Sequence, residues 1–139
     1  MIIDHKQFGI TKVSSSHNVF EVLTHLFDQI KGFEKDKEHL LSIGLTKNNR
    51  IKFIDLVSIG SLTGTIAEPR EIFRMSIHQA ASAIILVHNH PSGNLFPSEE
   101  DKRLTKKIKE AGKIIGIPLI DHIIFCEDGF YSFADEGMM

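Results

Sequence analysis

A single cysteine, Cys126, is all the thiol chemistry in this 139-residue chain. It excludes an internal disulfide and any multi-cysteine zinc site, and it fits a reducing compartment. The chain therefore has no Pro-Cys-x-x-Cys, and without a His-x-Glu either it cannot build a zinc deaminase site. The His-Glu-x-x-His helix of thermolysin-like proteases is also missing, as are G-x-G-x-x-G and Walker loops, so nucleotide binding has no support. No apolar run approaches the ~20 residues of a membrane span. The opening Met1-Ile2-Ile3-Asp4-His5-Lys6 is not a basic region followed by a long apolar stretch. These absences lead us to expect a soluble, cytoplasmic protein with no membrane partner. A formal net charge of −2 gives no global attraction to nucleic acid.

What is present suffices for one domain, residues 1–139, with a core that needs no covalent staple. Ser14-Ser15-Ser16 offers N-caps for a helix whose apolar stripe runs through Val19, Val22, Leu23, Leu26, Phe27 and Ile30, with Gly32 as its stop. After a charged loop at Glu34-Lys35-Asp36-Lys37, His39 to Leu45 and Ile51 to Ile59 read as a hairpin around the turn at residues 46–50. Gly60 and Gly64 mark a loop. Pro69 opens a helix carrying Ile72, Phe73, Ile77 and Ala80. Ala81 to Val87 is apolar without alternation, as in a strand buried on both faces, and it ends at His88. Ser98 begins a helix that Gly116 ends near Ile115. Ile117 to Ile120, His122 to Cys126 and Phe130 to Phe133 read as short strands around an Asp128-Gly129 turn. Helices before, between and after strands predict an α/β fold, a three-layer α-β-α sandwich with a mixed central sheet.

The chemistry concentrates between His88 and Asp101. Histidines at i and i+2 share one side of an extended chain, and a Pro/Gly-rich turn then leads to a helix whose first turn holds Asp101. Asp101 is in register with Leu104, Ile108, Ala111 and Ile115, so a carboxylate begins a buried stripe. Unpaired there it would cost several kcal/mol. A divalent metal held by His88, His90 and Asp101 is one partner. Three protein ligands with an open position describe a catalytic zinc better than a structural one. The competing reading is a capping box, Ser98-x-x-Asp101, in which Asp101 serves only the helix start. His122 reads as a structural histidine beside Asp121, with lining the site as the alternative. Lys102, Arg103, Lys106, Lys107, Lys109 and Lys113 read as a solvated helix face.

The spacing His88-x-His90, seven residues, Ser98, two residues, Asp101 resembles the JAMM signature of the JAB/MPN metalloprotease family. Within that family, His88-Asn89-His90-Pro91-Ser92-Gly93, Pro97 to Asp101, Pro69 to Phe73 and Asp121-His122-Ile123-Ile124 resemble the RadC branch, over roughly Ser14 to Gly137. The resemblance implies a cytidine-deaminase-like α-β-α fold, Zn2+ on His88, His90 and Asp101, and an oxyanion-holding hydroxyl at Ser98. It also implies a general base at Glu38, with Glu71 the second choice, and a peptide or protein substrate. Asn89 stands where the protease branches carry Ser or Thr, which sets metal binding on firmer ground than peptidase activity. DNA repair and a nucleic-acid partner come from the family association alone, since the helical region that precedes this domain in longer RadC proteins has no counterpart in these residues. The rival function is a binding module that grips DNA or a protein through the basic helix. Metal-dependent phosphodiester cleavage is a third.

Overall fold

The computed structural model describes residues 1–6, 9, 11–29, 37–60 and 67–139. Ile30, Gly32, residues 34–36 and Gly64 lie outside the described residues. In chain order the described residues form β1 (Ile2–Ile3), α1 (Ser16–Gln29), β2 (His39–Leu45), β3 (Ile51–Ile59), α2 (Pro69–His78), β4 (Ala83–Asn89), α3 (Glu99–Ile115), β5 (Leu119–Cys126) and β6 (Gly129–Ser132).

The six strands make one mixed sheet in the order β1-β3-β2-β4-β5-β6. Only β4 and β5 pair in parallel; the other pairings are antiparallel. Alternation along β4 divides the core. Ile85 and Val87 join Val19, Val22, Leu23, Leu26 and Phe27 of α1 on one face. Ile84 and Leu86 meet Ile72 and Phe73 of α2 and Leu104 and Ile108 of α3 on the other. The sandwich is thus α1, sheet, then α2 with α3, an α/β fold of the kind expected of a JAB domain. Leu23 and Leu26 are fully buried, so truncating either to Ala costs about 2–5 kcal/mol.

The hairpin has the predicted bounds because its signals are local: Thr46 N–H donates to the Arg50 carbonyl at 2.9 Å, and Asn49 takes the left-handed φ of 60° that asparagine tolerates. Gly44 is needed for close approach, since a Cβ there would lie 2.0 Å from the Phe53 ring.

Four expectations change. Rather than the serines capping α1, Asn18 Oδ1 accepts from Ser14 N–H at 2.8 Å and Ser15 N–H at 3.2 Å, while the Ser16 hydroxyl donates to Asp135. In α2 the buried residues are Ile72, Phe73 and Ser76; Ile77 is 60% exposed, and Ala80 lies beyond the helix with φ 54°. The central strand runs on through His88 to Asn89. Finally, β5 is continuous through Asp121, because that carboxylate is buried and accepts from neighbouring donors instead of breaking the strand.

Candidate metal centre

Strand alternation in β4 aims His88 at the α3 side and Asn89 at the opposite face. His90, just past the strand, returns to the side of His88. Its main chain is tied to the sheet by His90 N–H donating to the Phe125 carbonyl at 3.0 Å. The third member arrives with the first turn of α3. Ser98 is the N-cap: its hydroxyl accepts from Asp101 N–H at 3.1 Å, and Asp101 Oδ2 accepts from Ser98 N–H at 2.8 Å.

Asp101 therefore serves as cap and as cluster member at once. Its Oδ1 lies 3.1 Å from His88 Nε2, and its Oδ2 lies 3.2 Å from His90 Nε2. The two Nε2 atoms are 2.9 Å apart. One ligand atom from each of the three residues lies within 4.8 Å of the others. His88 and Asp101 are buried, and His90 is partly so.

The polarity of the cluster follows from what lies behind it. His90 Nδ1 is 2.6 Å from the Asn94 carbonyl. A carbonyl can only accept, so Nδ1 carries the proton and the neutral ring turns a lone pair toward the cluster. With both rings unprotonated at Nε2, two nitrogen lone pairs and a carboxylate converge on one point. Such a set fits a divalent cation, and two imidazole nitrogens with one carboxylate suit zinc-type coordination. Without a cation, protons take its place. The Asp101 carboxylate beside His90 raises that ring's pKa above the ordinary histidine value despite burial, with the Asn94 carbonyl and the Glu38 charge adding to it. Burial works to raise the Asp101 carboxyl, yet His88 and His90 together outweigh it and hold Asp101 well below the usual carboxylate range.

Glu38, half-buried just ahead of β2, lines a cleft of about 510 Å³ together with His90, Ser98 and Asp101. All five predicted site residues thus border one locality. Glu71 lies elsewhere, at the start of α2, where it pairs with Arg74 at 3.2 Å. The basic residues of α3 face solvent or stand half-exposed, and Lys107 is paired with Glu68 at 3.3 Å.

Two contributions lie behind the cluster: the role of Asn89 escaped the sequence reading, and that of His122 entered it only as the alternative to a structural one. Asn89 bridges the residues flanking Glu38: its Oδ1 accepts from His39 N–H at 2.6 Å, and its Nδ2 donates to the Lys37 carbonyl at 2.9 Å. One amide thereby imitates a strand neighbour, accepting at its oxygen and donating at its nitrogen. The legible signal was its place between two histidines facing the other way. His122 is fully buried with its Nε2 2.8 Å from His88 Nδ1 and its Nδ1 2.6 Å from the Thr105 hydroxyl. It is the main-chain N–H of His122, not its ring, that donates to Asp121.

The RadC-like JAB domain family matches residues 13–138. A UPF0758 protein of Geotalea uraniireducens is 42% identical over 131 residues, which cover 94% of this chain and 55% of that protein. A UPF0758 protein of Chlorobaculum parvum is 40% identical over 128 residues, 92% of this chain and 55% of the relative. One of Methanococcoides burtonii is 41% identical over 127 residues, with 91% and 53% covered. The chain spans about half the length of these curated relatives. Among the described residues no helix is long and apolar enough to cross a membrane.

Proposed function

We propose, from the premise that this chain belongs to the RadC-like JAB domain family, that His88, His90 and Asp101 hold a catalytic zinc and that the domain hydrolyses peptide or isopeptide bonds. The observation that carries this reading is the convergence of two imidazole nitrogens and a carboxylate at the wall of an open cleft that also holds a second carboxylate, Glu38. Zinc there would supply Lewis acidity and a water whose pKa is lowered to about 7.

The remaining steps belong to side chains. Glu38 takes the proton of the attacking water and returns it to the leaving amine. The Ser98 oxygen accepts from Asp101 N–H, which leaves its hydroxyl proton free to donate to the oxyanion as charge develops. Asn89 keeps Glu38 in place from the far side of β4. The family association with DNA repair makes DNA the alternative partner, held by the basic outer face of α3.

The test is metal-loaded protein offered labelled peptide and isopeptide libraries and, separately, labelled DNA. Peptide-bond cleavage is expected, reduced roughly 10²–10⁴-fold in Glu38→Gln with zinc content unchanged. Cleavage of DNA alone, lost in His88→Ala, would overturn the peptidase. Salt-dependent DNA binding without cleavage, indifferent to Glu38→Gln and lost on charge reversal of Lys106 and Lys109, would replace it with the binding module.

A further inference from the structure

We propose that Thr105 and His122 are positioning residues that make His88 a metal ligand, by a one-way chain of hydrogen bonds that keeps its proton on Nδ1 and its Nε2 lone pair aimed at the cluster. The proposal deepens the metal reading above and takes its purpose from it, while its geometry stands without it.

The direction of the chain is fixed at its far end. The Asp101 main-chain carbonyl can only accept, and the Thr105 hydroxyl, 2.8 Å away, gives it its single proton. Toward His122 Nδ1, at 2.6 Å, the same oxygen must then accept, so the His122 proton is on Nδ1. The ring has no exposed surface; a neutral imidazole carries one proton, and with that proton on Nδ1 its Nε2 is bare. That bare nitrogen, 2.8 Å from His88 Nδ1, accepts the proton His88 carries there. What remains to His88 is an unprotonated Nε2, 3.1 Å from Asp101 Oδ1.

The circuit begins at the main chain of Asp101 and ends at its side chain, so the first turn of α3 fixes both ends. Stacking of His122 on Phe133, with centroids 4.8 Å apart and planes within 8°, holds the ring in the required orientation. Without this chain, Asp101 would favour the other tautomer of His88, with a proton on Nε2 pointing into the metal's place. His90 meets the same need with a carbonyl behind it. Behind His88 the acceptor is a neutral imidazole, which pushes less electron density onto a ligand than the carboxylates that often fill this role.

The test begins on metal-free parent protein with ¹⁵N-labelled histidine, at alkaline pH. Long-range ¹H–¹⁵N correlations are expected to show His88 and His122 both protonated on Nδ1, and a His88 protonated on Nε2 would overturn the proposal. Zinc affinity, by chelator competition, is then expected to fall 10–100-fold in His122→Phe and several-fold in Thr105→Val, and to be restored in Thr105→Ser. Because the threonine pair keeps the core filled, it decides the matter should His122→Phe not fold. Parental affinity in Thr105→Val overturns the positioning role. A parent that shows both Nδ1 protons but takes up no zinc removes the metal reading, and the role with it, while leaving the hydrogen-bond chain in place.

Discussion

Asp101 and Asp121 are both buried, 4% and 7% exposed, yet they have opposite surroundings. Asp121 Oδ1 accepts from the main-chain N–H groups of His122 at 2.8 Å and Ala134 at 3.0 Å, and its Oδ2 accepts from the Ser132 hydroxyl at 2.6 Å. Those donors knot β5 to the end of β6 and the segment after it. Asp101 accepts one main-chain N–H, from Ser98, and otherwise faces imidazole nitrogens. A buried carboxylate met by main-chain and hydroxyl donors is a structural joint; one met by imidazole nitrogens needs a proton or a metal ion shared between them. Burial raises the pKa of Asp121, opposed by Ser132, Ala134 and His122, whereas the histidines hold Asp101 low against the same effect.

The sharpest way to break this comparison is to neutralise each acid in turn. Asp101→Asn should lower zinc affinity by more than the roughly 10–100-fold typical of changes behind a ligand, while Asp121→Asn should leave zinc content, by elemental analysis, at the parental level. Equal zinc loss in both would erase the distinction. Asn89 tests whether a side chain with its hydrogen bonds satisfied by protein must be structural only. Asn89→Ser should retain zinc yet lose turnover approaching 10²-fold, because Glu38 loses the bridge that fixes its backbone; unchanged kinetics would return Asn89 to a purely structural role.

The pKa directions give a pH signature. A depressed Asp101 contributes stability above its unfolded value of about 3.9, lost as pH falls through its folded value. A raised His90 contributes stability fully present below about 6.5 and lost as pH rises through its folded value. In metal-free protein both contributions are in force between about pH 4 and 6.5. Zinc requires His90 deprotonated, so the gain in Tm on adding zinc should grow from mildly acidic to mildly alkaline pH. A gain that does not change with pH would contradict the assignment. The smallest effect belongs to Asp121→Asn. An amide can keep both main-chain donors and donate to Ser132, so stability should change by about 1 kcal/mol or less in thermal unfolding. Because the raised Asp121 ionises at a cost as pH rises through its folded value, its removal should also flatten the decline toward neutral pH.

Legibility followed the range of the forces involved. The bounds of β2 and β3 and both ends of α3 rest on signals within a few residues: the turn at 46–50, the Ser98 cap and Gly116 with φ 85°. Ile77 misled because an apolar residue at helical spacing need not face the core, and in α2 the small Ser76 takes the inward position. Asp121 misled because a polar residue reads as a strand break until donors from residues 132 and 134 satisfy it. β1 has two residues, too few for any period to register.

By itself the sequence determined the i, i+2 histidine pair, the capped helix bringing Asp101, and the alternation of helices and strands, because caps, turns and side-chain periodicity act over one or two turns of chain. Only the tertiary structure decided that cap and cluster share one carboxylate, that Asn89 bridges the residues around Glu38, and that Thr105 and His122 stand behind His88. The Asn89, Thr105 and His122 contacts across elements span 17 to 52 positions of sequence. They exist because β4 lies between β2 and a parallel β5, a sheet order fixed by burying both faces at once and not by any local pattern.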